Sequence, residues 1–444
     1  MTSDAATGRW PDVKEIVQVA LPLYLSMIAV SSSALVNTAA LGRFGTTALA
    51  GFGLTVAVYF PAMAAVSGAV RGVMPFIAAE KADRAGVLRV VRNGTWLALC
   101  AGVPGAAAVA CVPLLANATG AAVAPLGPFP LLMAGGVLLN GFGSMATSSL
   151  IALGHGKVVM HAGLAGAACT AVLSPLLVIA AGLGLNGAGI ALLTSNLVSS
   201  TIALLGLRRR LGVRVTEAFD PRVHFGHLLR LAEVGLPMAG TVLVKFGVLG
   251  VLAFAAARLS ETDIAVHNIA TSLVSLMFTA AVAIGQASVP IVSIRASHND
   301  PRGVRRGISA GLLTAMTTLT VICAVIMAFR AFVVRLFTSD PAVTSAVTTL
   351  LVLVVLVVLG DGLQAILGFG LTGLKRSTPS FVVFAACYGA LALAAVPIAE
   401  HAGLTGLWVA LAVANLLVAT GQGLAFRRET VARQDNRSRS WNAP

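Results

Sequence analysis

Twelve apolar stretches of about 20 residues or more limit what this chain can fold into more than any other feature. A helix that crosses the hydrocarbon core of a bilayer needs about 20 apolar residues. No stretch alternates with the period of two that a barrel strand requires. We therefore predict an all-α membrane protein with spans at roughly 15–38, 48–73, 90–115, 128–153, 159–182, 186–207, 230–256, 264–290, 306–333, 342–371, 378–399 and 404–426.

The charge pattern supports a membrane protein and argues against a nucleic-acid partner. Only 10% of the residues are charged, whereas a soluble domain has about 25%. The net charge of +14 comes mostly from short segments between the apolar stretches, where basic residues set membrane topology. The five cysteines lie inside apolar stretches without CxxC spacing, so we expect neither a disulfide framework nor a metal site.

The segment Leu207–Arg230 carries six arginines and lies near the middle of the chain. If both termini are cytoplasmic, 24 of the 30 basic residues fall in cytoplasmic segments, as the positive-inside rule requires. This pattern predicts a multi-pass protein of the inner (plasma) membrane with both termini in the cytoplasm. The predicted parts are a six-helix lobe (1–207), a cytoplasmic linker (208–229), a second six-helix lobe (230–427) and a basic cytoplasmic tail (428–444).

The two halves of the sequence resemble each other. Val19–Pro22 (VALP) corresponds to Val234–Pro237 (VGLP), and Gly184–Gly187 (GLNG) corresponds to Gly403–Gly406 (GLTG). Six helices therefore repeat in the same order, and because six is even, both halves enter the membrane from the same side. The repeat predicts two pseudo-symmetric six-helix lobes related by an axis along the membrane normal.

Several ordered segments carry a family resemblance. They are Leu41–Ala50 (LGRFGTTALA), Leu150–Lys157 (LIALGHGK), Gly184–Ala191 (GLNGAGIA), Arg258–His267 (RLSETDIAVH), Ile284–Ala287 (IGQA) and Gly403–Trp408 (GLTGLW). Together they resemble the multidrug and toxic compound extrusion (MATE) family over nearly the whole chain. The resemblance implies two six-helix lobes, a central cavity between them, and export of drugs or metabolites in exchange for protons or sodium.

The sequence departs from this family at the positions where members usually carry acidic residues. Asn37 stands in the first helix, Ser174 precedes Pro175 in the fifth, and Lys245 occupies the position of a glutamate in the seventh. The tenth-helix aspartate is retained as Asp361. We predict the coupling or cation site at Asp361, Lys245, Asn37 and Ser174, with protons rather than sodium as the coupling ion, and with no cofactor or bound metal.

Lys245 and Asp361 are the charged residues that the sequence places deepest in the membrane. Intramembrane ionisable groups are costly and usually face a cavity or a partner. The alternatives are an aspartate bonded to a helix end and a lysine that snorkels to the surface. We predict that the two side chains pair, because two unpaired charges in a low-dielectric site would each be costly.

Aromatic and methionine side chains in the apolar stretches are candidates for a substrate cavity, since methionine adapts its packing to varied ligands. Each of them could instead face lipid or pack in the core. The candidates are Tyr24, Met27, Phe60, Met63, Phe142, Met145, Met238, Phe246, Met277 and Phe278.

These features predict a secondary active antiporter that exports organic cations, drugs or a secondary metabolite in exchange for protons. No Walker A or HExxH pattern occurs, so we predict that the chain is not an enzyme. The alternatives are a lipid-linked precursor flippase of the same superfamily, and a membrane channel or enzyme of another class. The expected partners are a small-molecule substrate and the lipid bilayer, for a protein that acts as a monomer.

Overall fold

The protein is built from long α-helices. The structure, a computed structural model, describes residues 9–118, 126–212 and 225–441, with side chains up to residue 434. The helices in these ranges are α1 (Trp10–Phe44), α2 (Thr46–Arg71), α3 (Met74–Ala79), α4 (Arg84–Ala110), α5 (Val112–Ala118), α6 (Phe129–Ala152), α7 (Gly156–Pro175), α8 (Gly184–Leu211), α9 (Phe225–Ala257), α10 (Glu261–Ser297), α11 (Pro301–Ala328), α12 (Arg330–Arg335), α13 (Pro341–Gly373) and α14 (Ser377–Trp441).

Local sequence explains where several helices begin. Asp83, Asp300, Asp340 and Ser260 precede α4, α11, α13 and α10, and each accepts a hydrogen bond from a free backbone N–H of the first turn. Such a cap satisfies a donor that has no partner within the helix. These helices therefore begin up to six residues before the apolar stretch that predicted them.

The last helix contains two spans. Within the described residues, eleven helices are long and apolar enough to cross a membrane, and α14 is the longest of them. Gly403 interrupts α14 with a φ of 64° and a ψ of −164°, a backbone conformation that glycine adopts without the strain of a side chain. The interruption lies between the predicted spans 378–399 and 404–426, so the described helices account for all twelve.

The chain forms two compact units. The amino-terminal unit is Pro22–Leu243, and the carboxy-terminal unit is Met1–Leu21 together with Val244–Pro444. The boundaries fall inside α1 and α9, so each of these helices contributes to both units. The lobe ranges 1–207 and 230–427 and the tail 428–444 stay predictions, and residues 213–224 of the predicted linker lie outside the described residues.

Small residues bring helices close together in the amino-terminal unit. Ser26 of α1 donates a hydrogen bond to the carbonyl of Val159 in α7 at 3.3 Å. Its hydroxyl lies where a side chain at Gly163 would be, so any larger residue at 163 would collide with it. Such close approach is typical of membrane helices, which associate by packing and interhelical hydrogen bonds.

An ion cluster anchors the start of α1 in the carboxy-terminal unit. The guanidinium of Arg295 in α10 donates to both carboxylate oxygens of Asp12, and Arg306 Nε lies 3.5 Å from Asp12 Oδ2. One and two turns further along α1, Ile16 and Ala20 join a core that includes Ile284, Ile291 and Ile308. The first helix is thus held by both charge and packing at its amino-terminal end.

Candidate functional site

A buried ion pair lies in the middle of two apolar helices of the carboxy-terminal unit. Lys245 Nζ donates hydrogen bonds to Asp361 Oδ1 at 2.9 Å and to Oδ2 at 2.7 Å. Ala257 ends α9 twelve residues after Lys245, about 18 Å along the axis at 1.5 Å per residue. The lysine is therefore too deep to snorkel to the end of its helix. The predicted pairing is confirmed, and its role in transport stays a prediction.

The two charges differ in their access to the surroundings. The side chain of Asp361 is 2% exposed, whereas that of Lys245 is 20% exposed. Gln364, one turn further along α13, donates a third hydrogen bond to Asp361 Oδ1 at 2.8 Å. The carboxylate is thus satisfied from two sides, as a buried charge must be, and the ammonium forms the accessible side of the pair.

An aromatic ring completes the surroundings of the ammonium. Lys245 Nζ lies 3.5 Å from the centre of the Phe278 ring in α10. The face of an aromatic ring carries partial negative charge and attracts a cation at this distance. One of the predicted cavity residues therefore contacts the predicted coupling residue directly.

A polar network holds α13 beside the pair. Asn415 of α14 donates to the carbonyl of Val357 at 3.2 Å and accepts from the hydroxyl of Tyr388 at 2.6 Å. Val357 lies one turn before Asp361 on α13. We expect this network to fix the height and rotation of the helix that carries the carboxylate. Gln364 and Tyr388 were not predicted from sequence. The spacing of three residues between Asp361 and Gln364 does place these two side chains on one face of a helix.

Asn37 and Ser174 lie in the amino-terminal unit at matching heights on two helices. Ser26 of α1 lies against Gly163 of α7. Asn37 comes eleven residues after Ser26, and Ser174 comes eleven residues after Gly163, which is about three turns along each helix. Phe44 at the end of α1 lies next to Gly184, which follows α7 in the chain. The helices α1 and α7 therefore run in the same direction. Asn37 and Ser174 are fully buried.

Neither side chain is fully satisfied within the part of the chain that the structure describes. Asn37 donates to the carbonyl of Ser33 at 3.2 Å, but its carbonyl oxygen and the Ser174 hydroxyl find no partner among the described residues. A buried polar atom without a partner is costly. The surroundings of Asn37 and Ser174 are therefore polar but uncharged, and these two residues lie in a different unit from Lys245 and Asp361.

Comparisons with known proteins give consistent matches to one family. The MatE family model matches residues 237–398. A probable multidrug resistance protein NorM of Bradyrhizobium diazoefficiens is 27% identical over 93% of this chain and 92% of its own length. A similar relative of Pseudomonas putida is 26% identical over 94% and 95%. The chain is similar to the MATE family over nearly its whole length.

Solved structures show the same fold. A crystal structure of MATE in complex with MaD5 superposes with a TM-score of 0.86 at 20% identity and covers 98% of this chain and 100% of its own. A MOP superfamily transporter of Pyrococcus furiosus, described as having a binding pocket of reversed polarity, gives 0.83 at 19% identity, over 97% and 100%. The predicted all-α fold with twelve spans in two lobes is confirmed. Like these relatives, the chain is a membrane transporter and not an enzyme.

The predicted cavity residues differ in exposure. Met145 and Met277 are almost fully buried, and Met277 contacts the thiol of Cys323 through its sulfur at 3.7 Å. Phe60 and Phe246 are the most exposed, at 39% and 41%. The half-buried ones are Tyr24, Met27, Met63, Phe142, Met238 and Phe278. Apart from the contact of Phe278 with Lys245, their assignment to a cavity stays a prediction.

Proposed function

We propose that this protein is a MATE-type secondary active exporter of small organic cations, including drugs or a secondary metabolite, in exchange for protons. The NorM relatives bear the name of multidrug resistance proteins, which supports export of foreign compounds. The buried pair of Lys245 and Asp361 is the observation that carries the proposal. It supplies one carboxylate that holds one cation in a site of low dielectric constant.

A single buried carboxylate gives a physical basis for exchange. Asp361 is stable as an anion only while a positive charge lies next to it, because an isolated buried carboxylate costs several kcal/mol. Two cations beside one carboxylate are unfavourable for the same reason. Binding of one cation at Asp361 therefore requires the departure of another, and this mutual exclusion is what an antiporter needs.

The proposal includes the membrane and the orientation of the chain. The transporter lies in the bacterial inner membrane as a monomer, with both termini in the cytoplasm, because 24 of the 30 basic residues then lie on that side. Sodium is not the coupling ion, since a metal cation of that kind needs several oxygen ligands. The family resemblance implies acidic residues at three positions that this chain fills with Asn37, Ser174 and Lys245.

Transport in proteoliposomes tests this function. Vesicles that contain the purified protein are loaded with acidic buffer, and uptake of ethidium, a fluorescent organic cation, is followed by its fluorescence. We expect uptake while the lumen is acidic, and loss of uptake when a protonophore collapses the gradient, with or without sodium. Uptake that depends on sodium alone, or on ATP without an ion gradient, would contradict the proposal.

A second candidate function is export of organic anions. The accessible side of the pair is the ammonium of Lys245 and not the carboxylate, and the Pyrococcus furiosus transporter is described as having a pocket of reversed polarity. The same vesicles separate the two candidates when fluorescein, an anionic dye, replaces ethidium. Transport of fluorescein without transport of ethidium would favour the second candidate.

A further inference from the structure

The surroundings of the Lys245 ammonium have the chemistry of a site for organic ammonium ions. Asp361 supplies a carboxylate, Gln364 holds that carboxylate in place, and Phe278 presents the face of its ring at 3.5 Å. Carboxylates and aromatic faces together recognise ammonium ions. Metal cations such as calcium prefer six or more oxygen ligands, and no cluster of three or more metal-binding side chains occurs among the described residues.

We propose that Lys245 is a tethered occupant of this ammonium site, and that its amino group carries the exchanged proton. The inference deepens the proposed function, because it names the substrate as an organic ammonium ion that competes with Lys245 for Asp361. It rests on the proposed function for the transport step only. The binding site itself can be tested without transport.

The exchange follows from the requirement for one positive charge at Asp361. When an organic ammonium ion binds to Asp361, the displaced Lys245 ammonium lies beside a second cation in a site of low dielectric constant. The ammonium then transfers one proton to water on the cytoplasmic side and becomes a neutral amine. The net charge around Asp361 stays constant, and no bond to the substrate forms or breaks.

The reverse steps release the substrate on the outer side. A proton from the external water binds the amine of Lys245, which becomes an ammonium again and takes back Asp361 Oδ1 and Oδ2. The substrate then has no free carboxylate and leaves. One organic cation moves outward for each proton that moves inward. Lysine suits this role because its amine, unlike a guanidinium, can exist as a neutral base in proteins.

The partial exposure of Lys245 agrees with this exchange. Its side chain is 20% exposed, while Asp361 is 2% exposed, so the amine is the more accessible member of the pair. Phe278 on α10, the other described contact of the ammonium, is uncharged. The described contacts of Lys245 therefore leave Asp361 as the one charged partner.

The variant Lys245→Arg separates pairing from proton transfer. A guanidinium pairs with a carboxylate but does not lose its proton in proteins. We expect Lys245→Arg to keep the wild-type melting temperature and to lose proton-driven ethidium transport by about tenfold or more. The matched control is Arg258→Lys, in the exposed pair that Arg258 forms with Glu400 at 3.1 Å, where transport should not change.

Chemical rescue tests the site without transport. Lys245→Ala removes the part of the side chain that n-propylammonium can replace. We expect propylammonium to raise the melting temperature of Lys245→Ala by about 3 °C or more in a saturable manner. Sodium at equal ionic strength should not do so. Lys245→Met, which fills the space, and the double variant Lys245→Ala/Asp361→Asn should not respond to propylammonium.

The outcomes distinguish this inference from the proposed function. Wild-type rates and proton dependence in Lys245→Arg would overturn the proton-carrying role while leaving proton-driven export intact. Equal stabilisation of Lys245→Ala by sodium and propylammonium, or none by either, would overturn the ammonium site. Failure of the wild type to use a proton gradient would contradict the proposed function instead, and the rescue experiment would still decide whether the ammonium site exists.

Discussion

Lys245 and Asp361 are 116 residues apart in the chain, and the ammonium of one donates to both carboxylate oxygens of the other at 2.9 and 2.7 Å. The pair joins α9 to α13 in the carboxy-terminal unit, where both helices are apolar on either side of it. Each charge is therefore tolerated in the membrane because of the other.

Removal of one member of this pair should destabilise the protein more than removal of both. Lys245→Met and Asp361→Asn each leave a partner without its counter-charge, and each should lower the free energy of unfolding by about 3–5 kcal/mol. The double variant should recover much of that loss, because no buried charge remains. Unfolding of the purified protein in detergent measures all three. Additive losses in the double variant would contradict a coupled pair.

An exposed ion pair of the same unit is the control for that cycle. Arg258 and Glu400 lie 3.1 Å apart with side chains that are 53% and 50% exposed. Exposed pairs contribute about 1 kcal/mol or less. Arg258→Gln and Glu400→Gln should therefore change stability little, alone or together.

Asp12 should be needed for stability although it lies close to the start of the first helix. It is almost fully buried, and its carboxylate contacts Arg295 and Arg306. Asp12→Asn would leave these two guanidiniums close together without an anion, so we expect a loss of about 3–5 kcal/mol. Thermal unfolding measures the effect. A change below about 1 kcal/mol would show that the cluster is as weak as an exposed pair.

Gly163→Ala should destabilise the amino-terminal unit because its added methyl group would collide with the Ser26 hydroxyl. Overpacking of this kind costs about 1–3 kcal/mol. Ser26→Gly in the same protein removes the obstacle and should restore part of the loss. The control is Gly53→Ala in α2, where an added methyl group meets nothing within 4 Å. We expect this variant to keep the wild-type melting temperature.

His155 should make stability depend on pH on the acid side of neutrality. Burial, together with the positive charges of Arg210 and Lys81, lowers the pKa of His155 from its ordinary value of 6.5. The unfolded chain therefore takes up a proton at a higher pH than the folded protein does. The contribution of His155 to stability is therefore greatest above pH 6.5. It is lost as the pH falls through the pKa of His155 in the folded protein.

The variant His155→Gln isolates this contribution, because glutamine does not titrate. Unfolding of both proteins at about pH 7.5 and about pH 5.5 measures it. The wild type should lose more stability than the variant between these two conditions. Equal losses would show that His155 does not cause the acid sensitivity.

The helices were predictable from sequence because a bilayer imposes one simple requirement. A stretch of about 20 apolar residues must satisfy its backbone internally, and only a helix does so within one segment. The ends were less predictable, since caps such as Asp83 and Asp300 extend helices beyond the apolar stretch. The break at Gly403 agreed with the repeated GLTG segment, whose counterpart GLNG lies at the start of α8.

The site was only partly predictable. The depth of Lys245 and Asp361 in apolar sequence predicted their pairing, because an isolated charge there is so unfavourable. Gln364, Tyr388 and Asn415 act through contacts between helices or along one face, which composition and hydropathy do not reveal. Burial of individual methionines, as for Met277 against Cys323, depends on helix rotation and neighbours, so a list of candidate cavity residues mixes exposed and packed ones.

Proton release on substrate binding is the measurement that tests the central claim most directly. Purified protein in weakly buffered detergent solution is mixed with ethidium, and a pH-indicator dye reports protons that enter the solution. We predict that the wild type releases one proton for each ethidium bound, because the displaced Lys245 ammonium becomes an amine, and that Lys245→Arg releases none. Saturable binding of ethidium to the wild type without any proton release would contradict the account.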